Sequence, residues 1–353
     1  MFFQDGRSAT TWSIGDLSDW DTSSVTNMNG MFSSAGRSAT TWSVGNLSSW
    51  NTSSVIDMSS MFSGAGYSVT TWSIGDLSSW NTSSVTSMSS MFYSAGYNAT
   101  NWSVGDLSDW NTSGVTSMHS MFSSAGYSAT TWSVGDLSDW NTSNVTSMYQ
   151  MFLSAGRNAA TFRLNLSSWN TSNVTTMYGM FSYAGYSATT WSVGDLSDWN
   201  TSSVNNMSSM FSSAGYSATT FTLDLSSWNT ASVTNMSSML SYAGHNATNW
   251  SVGDLSDWNT SSVTNMSNMF NQAGYNATTF TLDLSSWNTS SVTDMSYMFN
   301  SAGKSATTWS VTIPKTNDGT ATGPIANTTS NLYGKTTSVT ATPPSGRSFT
   351  LAN

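Results

Sequence analysis

Carboxylates recur in this chain at a near-constant interval, and oxygen ligands held in register are the raw material of a calcium site. Asp16, Asp76, Asp106, Asp136, Asp195, Asp224, Asp254 and Asp283 occupy one slot of a repeat, with Asn46 and Asn165 in the same place. A second column holds Asp19, Asp109, Asp139, Asp198 and Asp257. The repeats that carry both make Asp16, Asp19, Asp106, Asp109, Asp136, Asp139, Asp195, Asp198, Asp254 and Asp257 the calcium candidates. Like charges one strand apart repel, and a bridging cation would relieve them. The Asn replacements keep hydrogen-bonding capacity and drop the charge. They favour a plainer reading, in which these side chains accept backbone N–H groups and stay solvated. No other cofactor is implied.

A second set of side chains is suited to recognition. Tyr67, Tyr97, Tyr127, Tyr186, Tyr216 and Tyr275 each follow a glycine in the same slot, alternating with Arg37, Arg157, His245 and Lys304. Aromatic platforms stack on sugars or anchor a protein partner, which makes these tyrosines the binding-surface candidates. The structural alternative is a contact that closes a helix end after its C′ glycine. Thr11, Ser13, Thr41, Ser43, Thr71 and Ser73 begin ranks of outward hydroxyls, suited to polysaccharide or ice, or simply to water. Acid–base catalysis is poorly provided for. The chain has no Glu, no Cys and only His119 and His245, in slots that are mostly Ser or Tyr elsewhere, so no enzyme is expected.

The element that positions all of these is a cassette of about thirty residues, present ten times. Trp20, Trp50, Trp80, Trp110, Trp140, Trp169, Trp199, Trp228, Trp258 and Trp287 mark it, with a second ladder at Trp12, Trp42, Trp72, Trp102, Trp132, Phe162, Trp191, Phe221, Trp250, Phe280 and Trp309. Such a period signals a solenoid, because one unit cannot bury its own apolar face. Within a unit, Trp72 and Ile74 alternate with polar residues, as in a half-buried strand. Val85, Met88, Met91, Phe92 and Ala95 then fall on one helical stripe, closed by Gly96. The expected fold is a right-handed α/β solenoid, leucine-rich-repeat-like, of 29–30-residue repeats with a parallel β-sheet and short helices. The solenoid covers residues 1–310 and begins mid-repeat, and 311–353 form a C-terminal cap with a strand near Arg347 to Leu351. Seven repeats carry a glycine before the acidic slot, and the three headed by Phe162, Phe221 and Phe280 lack it. An extra residue in a strand flips every later side chain, so a bulge must absorb it locally.

Composition restricts the setting. Charged residues are 7% of the chain, all eighteen acids are Asp, and the net charge is −10, which opposes nucleic-acid binding. No disulfide framework or membrane span is encoded. At Leu284 to Phe299, LSSWNTSSVTDMSYMF, and in the same frame of every unit, the chain resembles the BspA-type leucine-rich repeats of bacterial surface proteins. The resemblance covers Ser8 to about Trp309. It implies a leucine-rich-repeat-like fold, an extracellular or cell-surface location and a role in adhesion or contact with a protein or glycan of another surface. Phage proteins carry similar repeats, so a phage or virion fibre is the alternative, followed by a subunit of an extracellular filament. No catalytic residue comes with the resemblance.

Overall fold

The computed structural model describes residues 2–313 and Thr350–Leu351, and within them the chain winds as a β-solenoid, one coil per repeat. Three-residue strands mark most coils: β1 (Thr11–Ser13), β2 (Thr41–Ser43), β3 (Asn101–Ser103), β4 (Thr131–Ser133), β5 (Thr161–Arg163), β6 (Thr190–Ser192), β7 (Thr220–Thr222) and β8 (Asn249–Ser251). β9 (Thr279–Asp283) and β10 (Thr308–Ile313) are longer, and β11 (Thr350–Leu351) lies beside β10. All strand pairs are parallel; those between repeats keep register, Trp12 opposite Trp42 and Phe162 opposite Trp191. A second parallel ladder, one residue wide, climbs without a break from Asn27 through Asp57 and Ser87 to Asp294. The expected stacking and parallel pairing are present. Of the expected cap over 311–353, Val311–Ile313 finish β10 and Thr350–Leu351 form β11, and the remainder lies outside the described residues.

The strands are short where the extra glycine is present. β9 and β10, both without it, pair over five positions, whereas pairs with a glycine-bearing partner end after three. Gly105 illustrates the cause: its φ is +92°, and a Cβ there would sit 1.9 Å from Asp76 Oδ1 of the preceding coil. Conformation and space both demand glycine. Register recovers at once. Leu166, from a glycine-free repeat, donates to the Val193 carbonyl of a glycine-bearing one at 3.1 Å, and Trp169 then stacks on Trp199 at 6.4 Å. The extra residue is absorbed locally, as a bulge does.

The expected short helices are absent among the described residues, so the α/β assignment is corrected to an all-β solenoid. The stripe at Val85, Met88, Met91, Phe92 and Ala95 does face the core, but consecutive turns produce its spacing. Met91, Tyr93 and Ala95 donate three residues back, to Met88, Ser90 and Phe92, at 3.0–3.2 Å. The intervening N–H groups of Ser90, Phe92 and Ser94 leave the coil for the next one, reaching His119, Met121 and Ser123 at 2.8–2.9 Å. Ser90 and Ser94 adopt φ of +55° and +52°, which no α-helix contains. A run rich in Ser has little helical propensity to defend. Hydrogen bonds between coils are therefore preferred over bonds within one segment.

Columns of like side chains fill the interior. Trp50, Trp80, Trp110 and Trp140 stack at 6.3–6.4 Å with planes within 2°. Phe62, Phe92 and Phe122 form a second column at 5.6 Å, and Leu240 takes one slot of it farther along. From Trp50 onward each inner indole is also hydrogen-bonded: Trp110 Nε1 donates to the Leu77 carbonyl of the coil before at 2.9 Å. The outer indoles divide by neighbour. Trp42, Trp72, Trp102 and Trp132 follow a tryptophan coil, and their buried Nε1 groups have no partner. Trp191 and Trp250 follow a phenylalanine coil and donate to Ala184 and Ala243 at 3.1 Å. A smaller ring beneath lets the indole settle onto a carbonyl of its own coil.

These environments predict unequal mutational costs. Trp110→Phe should destabilise by about 1–3 kcal/mol, through a lost bond and lost volume. Trp102→Phe loses the same volume but removes an unpartnered N–H, so it should cost less than Trp110→Phe by about 1 kcal/mol. Urea unfolding of both variants is the measurement, and equal losses would refute the distinction.

Candidate functional site

The first carboxylate column is a set of turn caps. Oδ1 of Asp16, Asp76, Asp106, Asp136, Asp195, Asp224, Asp254 and Asp283 accepts the backbone N–H two residues on, at 2.9–3.1 Å. Asn46 and Asn165 do the same through an amide oxygen, at 3.0 and 3.4 Å. Where the next coil carries the extra glycine, that glycine covers this oxygen, as Gly135 covers Asp106. The second column, Asp19, Asp109, Asp139, Asp198 and Asp257, points to solvent. Its slot is serine in the other repeats, where Ser49 and Ser79 donate to carbonyls of the preceding coil. A carboxylate cannot donate, so each Asp forgoes that rung. No three Asp or His side chains converge to hold a metal among the described residues.

Beside the first column runs a groove of about 500 Å³, lined by Ser73, Asp76, Asn101, Ser103 and Ser133 over the edges of Trp72, Trp102 and Trp132. The same combination recurs farther along, at Asp254, Thr281, Asp283, Ser310 and Thr312. The structure thus joins the outward hydroxyls of the strands to the carboxylate rim as one shallow face. Arg163, outward on β5, is a departure in the rank of hydroxyls.

The tyrosine slot forms a ridge on another side of the coil. Tyr67, Tyr97 and Tyr127 stack at 4.4 Å, and Tyr186 lies on Tyr216 at 4.5 Å. Cations continue the same stack. The Arg37 guanidinium lies 4.4 Å over Tyr67, and that of Arg157 bridges Tyr127 and Tyr186 at 5.2 and 4.3 Å. His245 is sandwiched between Tyr216 and Tyr275 at 4.4 and 4.6 Å, and Lys304 Nζ closes the row 5.3 Å from the Tyr275 ring centre. Ring faces are covered within the stack, which leaves edges and polar tips for any visitor. A sugar stacked flat on these tyrosines is therefore disfavoured, and the helix-end contact considered from sequence has no helix to close.

The residues brought together here match one model over most of the chain. The family described as "Mycoplasma protein of unknown function, DUF285" matches residues 2–126, 97–188, 124–250 and 182–312. The chain belongs to this family. The overlapping DUF285 matches together run from residue 2 to 312. No curated protein and no solved structure matches the chain. The DUF285 match supports a tandem-repeat solenoid and assigns no activity.

Sequence reasoning overlooked how many polar side chains serve the stack itself. Thr82 Oγ1 donates to the Asn111 carbonyl of the following coil at 3.1 Å, and Thr112 to Asn141 at 3.0 Å. Ser54 and Thr86 reach back to Ser23 and Ile56. Their fixed offsets were the available signal. His245 also gains partners unseen in the sequence, since its ring nitrogens face Asn246 Oδ1 and Gln272 Oε1 at 3.0 and 3.3 Å.

Titration should expose both columns. Bonds from the serine backbone N–H, then from its hydroxyl, hold the Asp16, Asp195 and Asp254 carboxyls below their ordinary 3.8. Burial, then the neighbouring phenols, raises Tyr97 and Tyr216 above 10.0. Depressed carboxyls give stability that is present above 3.8 and lost as pH falls through their folded pKa. Raised phenols give stability that is present below 10.0 and lost as pH rises through theirs. The melting temperature should accordingly plateau between about pH 4 and pH 10 and fall on both sides. Tyrosinate absorbance should lag behind free tyrosine until unfolding. Titration of every phenol near pH 10 with the fold intact would contradict the stack.

Calcium should leave the melting temperature where a chelator leaves it, since the first-column carboxylates already cap turns. Asp136→Asn should likewise stay within about 0.5 kcal/mol of the parent. A calcium-dependent rise that Asp136→Asn and Asp139→Asn abolish would restore the bridging site.

Proposed function

We propose that this DUF285 protein is a non-enzymatic, BspA-like surface protein of a bacterial cell, which presents a repeat-built face for adhesion. The observation that supports it is the ridge of Tyr67, Tyr97, Tyr127, Tyr186, Tyr216 and Tyr275 with its interspersed cations, unbroken from coil to coil. A solenoid sets like groups one coil apart, about 4.8 Å in a parallel ladder. A partner with repeating groups therefore meets many equivalent weak contacts at once, and avidity accumulates without a deep pocket.

Chemistry at neutral pH has little support. The shifted carboxyls move down and the shifted phenols move up, both away from the range in which a general acid or base works. The groove residues lie side by side in rows, where catalysis requires unlike groups converging on one atom.

Labelling intact cells that carry the full chain tests the location. Antibody and added protease should reach the protein without lysis, and cells lacking it should adhere less to host surfaces. Reactivity only after lysis, with adhesion unchanged in its absence, would defeat the proposal.

A further inference from the structure

We propose that the tyrosine–cation ridge is a docking stripe for an acidic polysaccharide, gripped through its carboxylate or sulfate groups. This rests on the surface display proposed above and names the ligand class of that face. Of the Lys and Arg among the described residues, Arg7, Arg37, Arg157 and Lys304 share one slot of the repeat, and Arg163 stands elsewhere. His245 shares that slot as well. The aspartates occupy other columns, so four of the five Lys and Arg among the described residues stand on one ridge.

The cations are also preorganised. Stacking on Tyr67 fixes the Arg37 guanidinium plane, and Gly64 leaves it room, since a Cβ there would lie 2.8 Å from its Nη1. Arg157 is held between Tyr127 and Tyr186 in the same way. No carboxylate pairs with Arg37, Arg157 or Lys304 among the described residues. A stacked guanidinium keeps its N–H edge free, and that edge fits carboxylate or sulfate through paired hydrogen bonds. Tyrosine hydroxyl edges between the cations suit sugar hydroxyls.

Spacing favours a sparsely charged polymer. Arg7 and Arg37 are neighbours in the slot, Arg37 and Arg157 are separated by three tyrosines, and Arg157 and Lys304 by three tyrosines and His245. One coil of a parallel ladder is about 4.8 Å, so beyond the Arg7–Arg37 pair the intervals are roughly 19 and 24 Å. Duplex nucleic acid carries a charge every ~1.7 Å and would press many unmatched phosphates on an acidic protein. A chain with one acid per few sugars would not.

The test uses the full chain on immobilised heparin and hyaluronate across a salt series. The triple variant Arg37→Tyr, Arg157→Tyr, Lys304→Tyr restores the repeat's own residue and keeps the stack, which circular dichroism verifies. Arg163→Ser is the control on the other face. Wild type should bind hyaluronate, which carries one carboxylate per disaccharide, at least as tightly as densely sulfated heparin, and more weakly as salt rises. The triple variant should lose at least ~tenfold in affinity and flatten the log–log salt slope by roughly 2–3, at somewhat under one per lost contact. Arg163→Ser should match wild type. No binding of wild type to hyaluronate, equal binding by the triple variant, or an equal loss in Arg163→Ser would overturn the stripe. Tighter binding to phosphatidylserine vesicles or single-stranded polynucleotide would overturn the ligand class. Unchanged cell adhesion by the triple variant would remove the stripe and leave surface display standing. Polysaccharide binding by a chain found only inside cells would do the reverse.

Discussion

Backbone hydrogen bonding from one coil to the next is the constraint on which everything else depends. Around a single coil, N–H groups reach the coil above at Ser90, Phe92 and Ser94 and the coil below at Gly96, Asn98 and Thr100. A lone coil would leave these groups unpaired beside a buried apolar face, at a cost of a few kcal/mol for each desolvated group. Identical side chains therefore stand above one another by necessity. The aromatic columns are the consequence, because flat rings are the large side chains that tolerate their own copies at this separation. Offset stacking of the inner indoles at 6.3–6.4 Å keeps them in contact while each N–H finds a carbonyl.

The same constraint explains a composition with 7% charged residues. A charged column stacked on itself is repulsive at every step. Hydroxyl columns are not, and Thr82, Ser54 and Thr86 turn the chain's own carbonyls into acceptors between coils. Where charge does enter a column it is diluted or buffered. Asn46 and Asn165 interrupt one acidic column, serines interrupt the other, and from Arg37 onward the cations are spaced by tyrosines. Electrostatics and hydrogen bonding thus select the outward residues nearly as firmly as packing selects the inward ones.

Sequence periodicity made the stack legible, along with its parallel pairing, its core columns and the local absorption of the extra glycine. Helices were misread because the rule applied to Val85, Met88, Met91, Phe92 and Ala95 reports which residues face inward and not how the chain turns between them. Consecutive three-residue turns and an α-helix yield similar stripes. What separates them is where the N–H of Ser90 or Phe92 goes, and that acceptor lies in another repeat. Left-handed φ at Ser90 and Ser94 was hidden as well, since serine advertises no such conformation. The capping role of the carboxylates was readable from the Asn substitutions. The covering of the tyrosine faces was not, because it depends on ring orientation. The grouping of the cations was available from position arithmetic alone, and adding Arg7 to the slot required only counting back one period from Arg37.

Packing also explains which slots are free to vary. At the inner indole slot from Trp50 onward a change must replace both a stacked ring and a donor to the preceding coil, and tryptophan fills every one of these positions. At the outer slot phenylalanine alternates with tryptophan, because the indole N–H there is partnered in some coils and not in others. The ridge slot asks only for a group that lies flat on a phenol and keeps its polar end in water. Tyrosine, arginine and histidine all meet that requirement, and lysine meets it at the end of the row. The ridge is accordingly where surface chemistry can change without disturbing the winding of the chain.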